Sequence, residues 1–133
     1  AWEGRLISGH DSGLLRVWNV SGDCVEVLKG HIRGMFAASG IDSVLAFAVC
    51  GSRLVSGSAD KSVKVWAMEP AARPWAGAAF VCERSLLGHT GRVEALAGWQ
   101  DKVASGSADG IIRVWDAVTG ALDATLAGHS GNV

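Results

Sequence analysis

Three stretches of this chain superimpose without a gap, and that repetition constrains the fold more than any local propensity. Arg5-Leu6-Ile7-Ser8-Gly9 runs to Trp18, Arg53-Leu54-Val55-Ser56-Gly57 runs to Trp66, and Lys102-Val103-Ala104-Ser105-Gly106 runs to Trp115. In each, the serine precedes the tryptophan by ten positions. Each tryptophan is followed, through a connection of variable length, by Gly30-His31, Gly88-His89 or Gly128-His129. A pattern that recurs in one register is one supersecondary unit used several times.

Within a unit the periodicity is that of strands. Val63, Val65 and Ala67 alternate with Ser62, Lys64 and Trp66, and Ile112 and Val114 alternate with Ile111, Arg113 and Trp115. A pleated strand with two distinct faces requires such alternation. Ser58-Ala59-Asp60-Lys61 and Ser107-Ala108-Asp109-Gly110 suit tight hairpins. Val44 to Ala48 and Val93 to Ala97 supply an earlier apolar strand, and Val25 to Leu28 and Leu122 to Leu126 a later one. Eighteen glycines against two prolines fit many short elements joined by turns. Each full unit therefore reads as four short strands, and the chain as all-β. A sheet that small cannot shelter both of its faces, so it must stack on neighbours of the same kind. Radial stacking gives a propeller; sandwiches and barrels do not require one tryptophan and one Gly-His at equivalent places in every unit.

The succession Gly-His, Ser-Gly-Ser-Ala-Asp and Val-Trp, with Asp116 after Trp115, resembles the WD repeat, and the likeness covers nearly the whole chain. It implies a partial β-propeller of about three four-stranded antiparallel blades, the first incomplete. Unit 1 spans about 1–31 and lacks its inner strand and opening Gly-His. Unit 2 spans about 32–89, unit 3 about 90–129, and 130–133 begin a further unit. In the family, the His, Ser, Asp and Trp of one unit form a hydrogen-bond network. Carried over, the resemblance implies His31, Ser56, Asp60 and Trp66 in the second unit and His89, Ser105, Asp109 and Trp115 in the third. The donor and acceptor chemistry agrees, since an indole only donates, a carboxylate only accepts, and hydroxyl and imidazole bridge between them. In the first unit Ser12 occupies the place of Asp60 and Asp109, which puts its hairpin network in doubt. By resemblance the closed molecule is seven-bladed, so the chain reads as a fragment of a longer protein or as a protomer that must associate.

Several functions are disfavoured on residue grounds. A Ser, a His and an Asp invite a hydrolase reading, but an enzyme needs one nucleophilic site and this set recurs with tryptophan at structural turns. The histidines fall in successive units without an HxxxH-type spacing, so no metal is expected. No Gly-rich phosphate loop ending in Lys-Ser/Thr appears, and no cofactor is expected. Twelve Lys+Arg against thirteen Asp+Glu offer no overall basic excess for specific nucleic-acid binding. Arg5, Arg53 and Lys102 share one repeat position, and Arg16, Lys64 and Arg113 another; either set is a candidate cationic arc, though solvated strand ends explain them more simply. The longest apolar run, Val44 to Cys50, falls far short of the roughly 18 to 20 residues that span a bilayer, so no membrane is expected. Cys24, Cys50 and Cys82 are odd in number and lack CxxC spacing, which reads as reduced, small core residues of an intracellular protein, cytoplasmic or nuclear.

The expected function is a non-catalytic scaffold for other proteins, with the substrate-recognition part of a ubiquitin-ligase complex as the alternative. An enzyme or nucleotide-binding protein ranks below both. Unit 2 is longer than unit 3 in two places, at 32–43 and at 67–83, and the propeller geometry puts these insertions on opposite faces. Loops on a rigid scaffold are where function varies. Arg73 and Trp75, residue types enriched at interface hot spots, are the preferred partner contacts, followed by Met35 and Phe36 in the first insertion. Closure is expected to need the remaining blades or a second copy.

Overall fold

A computed structural model describes residues 5–10, 13–28, 43–51, 53–69 and 79–127. Among them the regular elements are all strands: β1 (Leu6–Gly9), β2 (Leu15–Trp18), β3 (Cys24–Leu28), β4 (Val44–Cys50), β5 (Arg53–Ser58), β6 (Val63–Glu69), β7 (Ala79–Leu86), β8 (Val93–Trp99), β9 (Lys102–Ser107), β10 (Ile111–Asp116) and β11 (Leu122–Ala127). They form three antiparallel sheets in sequential order, β1-β2-β3, β4-β5-β6-β7 and β8-β9-β10-β11. Among the described residues the first sheet has three strands, as the repeat alignment anticipates. The register repeats as well. Ser8 opposes Arg16, Ser56 opposes Lys64 and Ser105 opposes Arg113, and an irregularity falls immediately before Trp18, Trp66 and Trp115 in each outer strand pair. An extra residue at one repeated point increases the local twist in the same way in every sheet.

Alternation gives every sheet two unlike faces, and the two seams bury both faces of the middle sheet and one face of each of the others. In the first seam Ile7, Leu15, Val17 and Leu28 meet Leu54 and Trp66 of the second sheet, with Val44 packed alongside. In the second seam Val55, Val63, Val65 and Leu86 meet Val103 and Trp115 of the third sheet, joined by Val93 and Cys50. Each sheet thus presents a leading face with the tryptophan and a trailing face of aliphatic residues. The trailing face of one sheet receives the leading face of the next. Glycine sets the spacing: a Cβ on Gly57 would stand 2.5 Å from Val93 Cγ1, and one on Gly9 2.8 Å from Val44 Cγ1. Gly9 and Gly57 are therefore the sockets for the first valine of the sheet that follows each.

Polar links cross the seams too. The Val44 N–H donates to the His10 carbonyl at 3.0 Å, joining the first hairpin to the second sheet. The Cys50 thiol points at the Gln100 and Lys102 carbonyls, 3.1 and 3.2 Å away, and Arg84 Nε donates to the Val118 carbonyl at 2.8 Å.

Two expectations are corrected. Only Cys50 is a core cysteine; Cys24 and Cys82 are exposed. They sit opposite Trp18 and Trp66 on the outermost strands, which have water on their far side. The second insertion is also not all loop. Met68 pairs with Phe80 and Glu69 with Ala79, so part of its extra length prolongs the β6–β7 hairpin. Residues 70–78 lie outside the described residues, as do 29–42.

Candidate functional site

The hydrogen-bond network implied for the third unit is assembled. Ser105 and Trp115 lie on neighbouring strands β9 and β10, His89 precedes β8, and Asp109 sits in the β9–β10 turn. The Trp115 indole N–H donates to Ser105 Oγ at 2.8 Å, and Ser105 Oγ lies 2.7 Å from His89 Nε2. His89 Nδ1 lies 2.9 Å from Asp109 Oδ2, with both side chains almost wholly buried. The chemistry of the line is complementary: the carboxylate accepts, the indole donates to the hydroxyl oxygen, and the imidazole bridges the carboxylate and the hydroxyl. The His89 ring also meets Trp115 edge-on, with centroids 6.3 Å apart.

Asp109 is the anchor of this turn. Its carboxylate accepts the Thr90 N–H at 3.0 Å, the Ile111 N–H at 2.9 Å and Arg113 Nη1 at 3.1 Å. Burial alone would raise its pKa, but the hydrogen bonds from His89, Thr90, Ile111 and Arg113 together hold it far below the usual carboxylate range. His89 moves the other way from a typical ion-paired histidine. Burial lowers its pKa and the Arg113 charge adds to this, outweighing the pull of Asp109, so the ring is neutral at pH 7. Arg113 is a member of the network that the repeat reading treated only as a surface cation. Its position four residues after Asp109 and two before Trp115 was the available signal.

The second unit repeats the Trp–Ser leg, with Trp66 Nε1 donating to Ser56 Oγ at 2.9 Å. Asp60 Oδ1 accepts the Ser62 N–H at 2.8 Å and the Ser62 hydroxyl at 2.6 Å, closing the β5–β6 turn. His31 lies outside the described residues. In the first unit Trp18 Nε1 donates to Ser8 Oγ at 2.9 Å, and His10 Nε2 lies 3.2 Å from the same oxygen. The imidazole there comes from within the hairpin, two residues past the serine. Sequence reasoning missed this because His10 aligns with Ser58 and Ser107, positions outside the network motif.

Neither candidate cationic arc is a row of free charges. Arg53 pairs with Glu83 at 2.8 Å, Lys102 bridges Asp116 at 3.1 Å and Asp123, Arg113 holds Asp109, and Lys64 Nζ donates to Ser85 Oγ at 2.7 Å. Asp116 is brought down to about 2 by the Thr119 N–H, Lys102 and the Val118 N–H, which fixes the β10–β11 turn. Met35, Phe36, Arg73 and Trp75 lie outside the described residues. Among the described residues no group of three or more His, Cys, Asp or Glu side chains could hold a metal ion.

This geometry is a folding device. Ser56 and Ser105 are fully buried, and the Ser105 hydroxyl is engaged on both sides, so no substrate reaches that oxygen. The comparisons with known proteins agree with the repeated architecture. The family model described as "WD domain, G-beta repeat" matches residues 22–67 and 80–116. The WD repeat-containing protein pop2 of Schizosaccharomyces pombe is 34% identical over 96% of this chain, and the ribosome biogenesis protein ytm1 of Botryotinia fuckeliana 30% identical over 84%. The chain spans 21% and 23% of the length of these relatives. Among solved structures, Sqt1 of Saccharomyces cerevisiae superimposes with a TM-score of 0.79 at 16% identity, over 98% of this chain and 33% of that one. U3-55K does so with a TM-score of 0.75 at 23% identity, over 98% and 38% respectively. Three tryptophans in one register, each donating to the serine ten residues before it, together with the family match, place this chain in the WD40 repeat family of β-propellers.

Proposed function

We propose that the chain is part of a non-catalytic propeller whose role is to hold other proteins. The observation that carries this reading is the repeated use of one Trp–Ser bond in all three sheets. Residues that could have served chemistry are spent on fixing turns, which leaves the connections between strands free to vary. The relatives support the same reading at a coarse level, one being named for ribosome biogenesis and one structural neighbour coming from a mitotic checkpoint complex. The preferred contacts remain Arg73 and Trp75, between β6 and β7, with Met35 and Phe36 between β3 and β4 as the second set. An intracellular setting, with free cysteines and no cofactor, fits this role.

The test is affinity capture with the intact chain and with Trp75→Ala and Arg73→Ala, read by quantitative mass spectrometry of what is retained. Circular dichroism verifies that each variant keeps its strands. The expected result is loss of a defined subset of partners from both variants. Undiminished capture of every partner removes the second insertion from the contact surface.

A further inference from the structure

One turn of the middle sheet departs from its counterparts in the other two. The same bond closes all three: Gly13, Lys61 and Gly110 each donate their N–H, at 3.1 Å, to the carbonyl of His10, Ser58 or Ser107. The donating residue has a left-handed backbone each time, with φ of 77° at Gly13, 73° at Lys61 and 79° at Gly110. Glycine takes that conformation freely, whereas a lysine there sets its Cβ against the backbone and destabilises the turn. Lys61 is exposed, and strain kept at an exposed position points to a use outside the fold. Its surroundings are cationic and apolar. Arg113, at the repeat position of Lys64, is tied to the Asp109 carboxylate, but Lys64 Nζ donates to the neutral Ser85 hydroxyl at 2.7 Å. Asp60, in the Lys61 turn, is buried and accepts from the Ser62 N–H and hydroxyl, so its carboxylate is turned inward. One step past the Val63–Leu86 pair, at the end of the sheet that carries this turn, Leu87 is 72% exposed. The middle sheet has a neighbour on each face, so what it presents to solvent here belongs to its own end.

We propose that Lys61, Lys64 and Leu87 form a docking point for an extended segment of a partner protein that carries carboxylates around a large apolar side chain. The two ammonium groups supply the charge that a segment bearing Asp or Glu complements. Leu87 supplies apolar area that a bare polyanion would leave in water. Exposed charge pairs contribute little each and fade with salt, so the leucine carries most of the affinity and the lysines set the sign of the partner. The docking point deepens the scaffold reading above and rests on it. Arg73 and Trp75 fall in the connection between β6 and β7, at the opposite end of those strands, and take no part in it.

Selection of a random peptide library, displayed on phage, against the whole immobilised 133-residue chain tests this. Enriched peptides should combine acidic residues with a large apolar one, and fluorescence anisotropy of the tightest of them gives its affinity. Lys61→Gly should weaken that peptide about two- to fivefold while raising the urea midpoint, because a charge contact is lost and the strain is relieved. Lys64→Gln should weaken it by a similar factor and Leu87→Ser roughly tenfold, with the circular dichroism unchanged. No enrichment, enrichment without acidic residues, or unchanged binding in Lys61→Gly overturns the proposal and leaves the lysine a strained turn residue only. Equal binding of oligodeoxythymidine that survives Leu87→Ser overturns it too, in favour of an unselective anion surface. The capture experiment with Trp75→Ala probes the other end of the sheet, so the scaffold reading stands or fails separately.

Discussion

The His89 ring lies between Asp109 Oδ2, 2.9 Å from Nδ1, and Ser105 Oγ, 2.7 Å from Nε2. A second ring proton would place a positive charge beside the Arg113 guanidinium, 2.7 Å from Nδ1. The folded ring therefore titrates below its ordinary value of 6.5, for which burial is the leading cause. A group with a depressed folded pKa binds fewer protons when native than when unfolded. Its contribution is complete above the unfolded pKa and is lost as pH falls toward the folded one. Asp109, also depressed, extends the loss into stronger acid, below its usual 3.8. We expect the urea midpoint to fall as pH is lowered from 7 to 5, with a slope from this one proton of at most about 1.4 kcal/mol per pH unit. His89→Gln should be less stable at pH 7 and should show a shallower decline, separating this ring from His10 and the other histidines. An unchanged slope in that variant would refute the assignment.

At the scale of the strand pair, the glycine sockets set how closely two sheets approach. Gly57→Ala puts a methyl group 2.5 Å from Val93 Cγ1 and 3.1 Å from Val93 Cβ, inside van der Waals contact on both counts. The seam must open, at a cost of about 1–3 kcal/mol typical of overpacked cores. Val93→Ala removes the clashing carbon, so the two substitutions together should cost less than the sum of their separate losses. Additive losses in urea unfolding would show that the glycine is needed for some other reason. The positions of these strands were readable in advance because alternation and a ten-residue Ser–Trp offset are local signals. The trailing and leading faces follow from the same alternation. What the sequence hid was set by distant geometry or by side-chain rotation. Cys24 and Cys82 look like core residues by type and are exposed because their strands lie outermost. His10 reaches Ser8 by turning back within its hairpin, and Arg113 joins the network only once β10 lies beside the His89 turn.

In the whole molecule, stability belongs to the seams more than to the sheets. Stacked repeats gain most of their free energy from nearest-neighbour interfaces, since one thin unit buries little on its own. Leu6 and Leu54 form a controlled comparison, sharing a residue type, a strand position and a cross-strand tryptophan. They differ in that Leu54 lies in the seam between the first two sheets and Leu6 is exposed. Leu54→Ala should cost about 2–5 kcal/mol, the range for a buried leucine whose cavity collapses only in part. Leu6→Ala, at an exposed position, should cost under about 0.5 kcal/mol. Urea unfolding of the two variants side by side provides the measurement. Similar losses at both positions would mean that each sheet is held together mainly by its own strands, and the account of a chain stabilised by stacking would have to be abandoned.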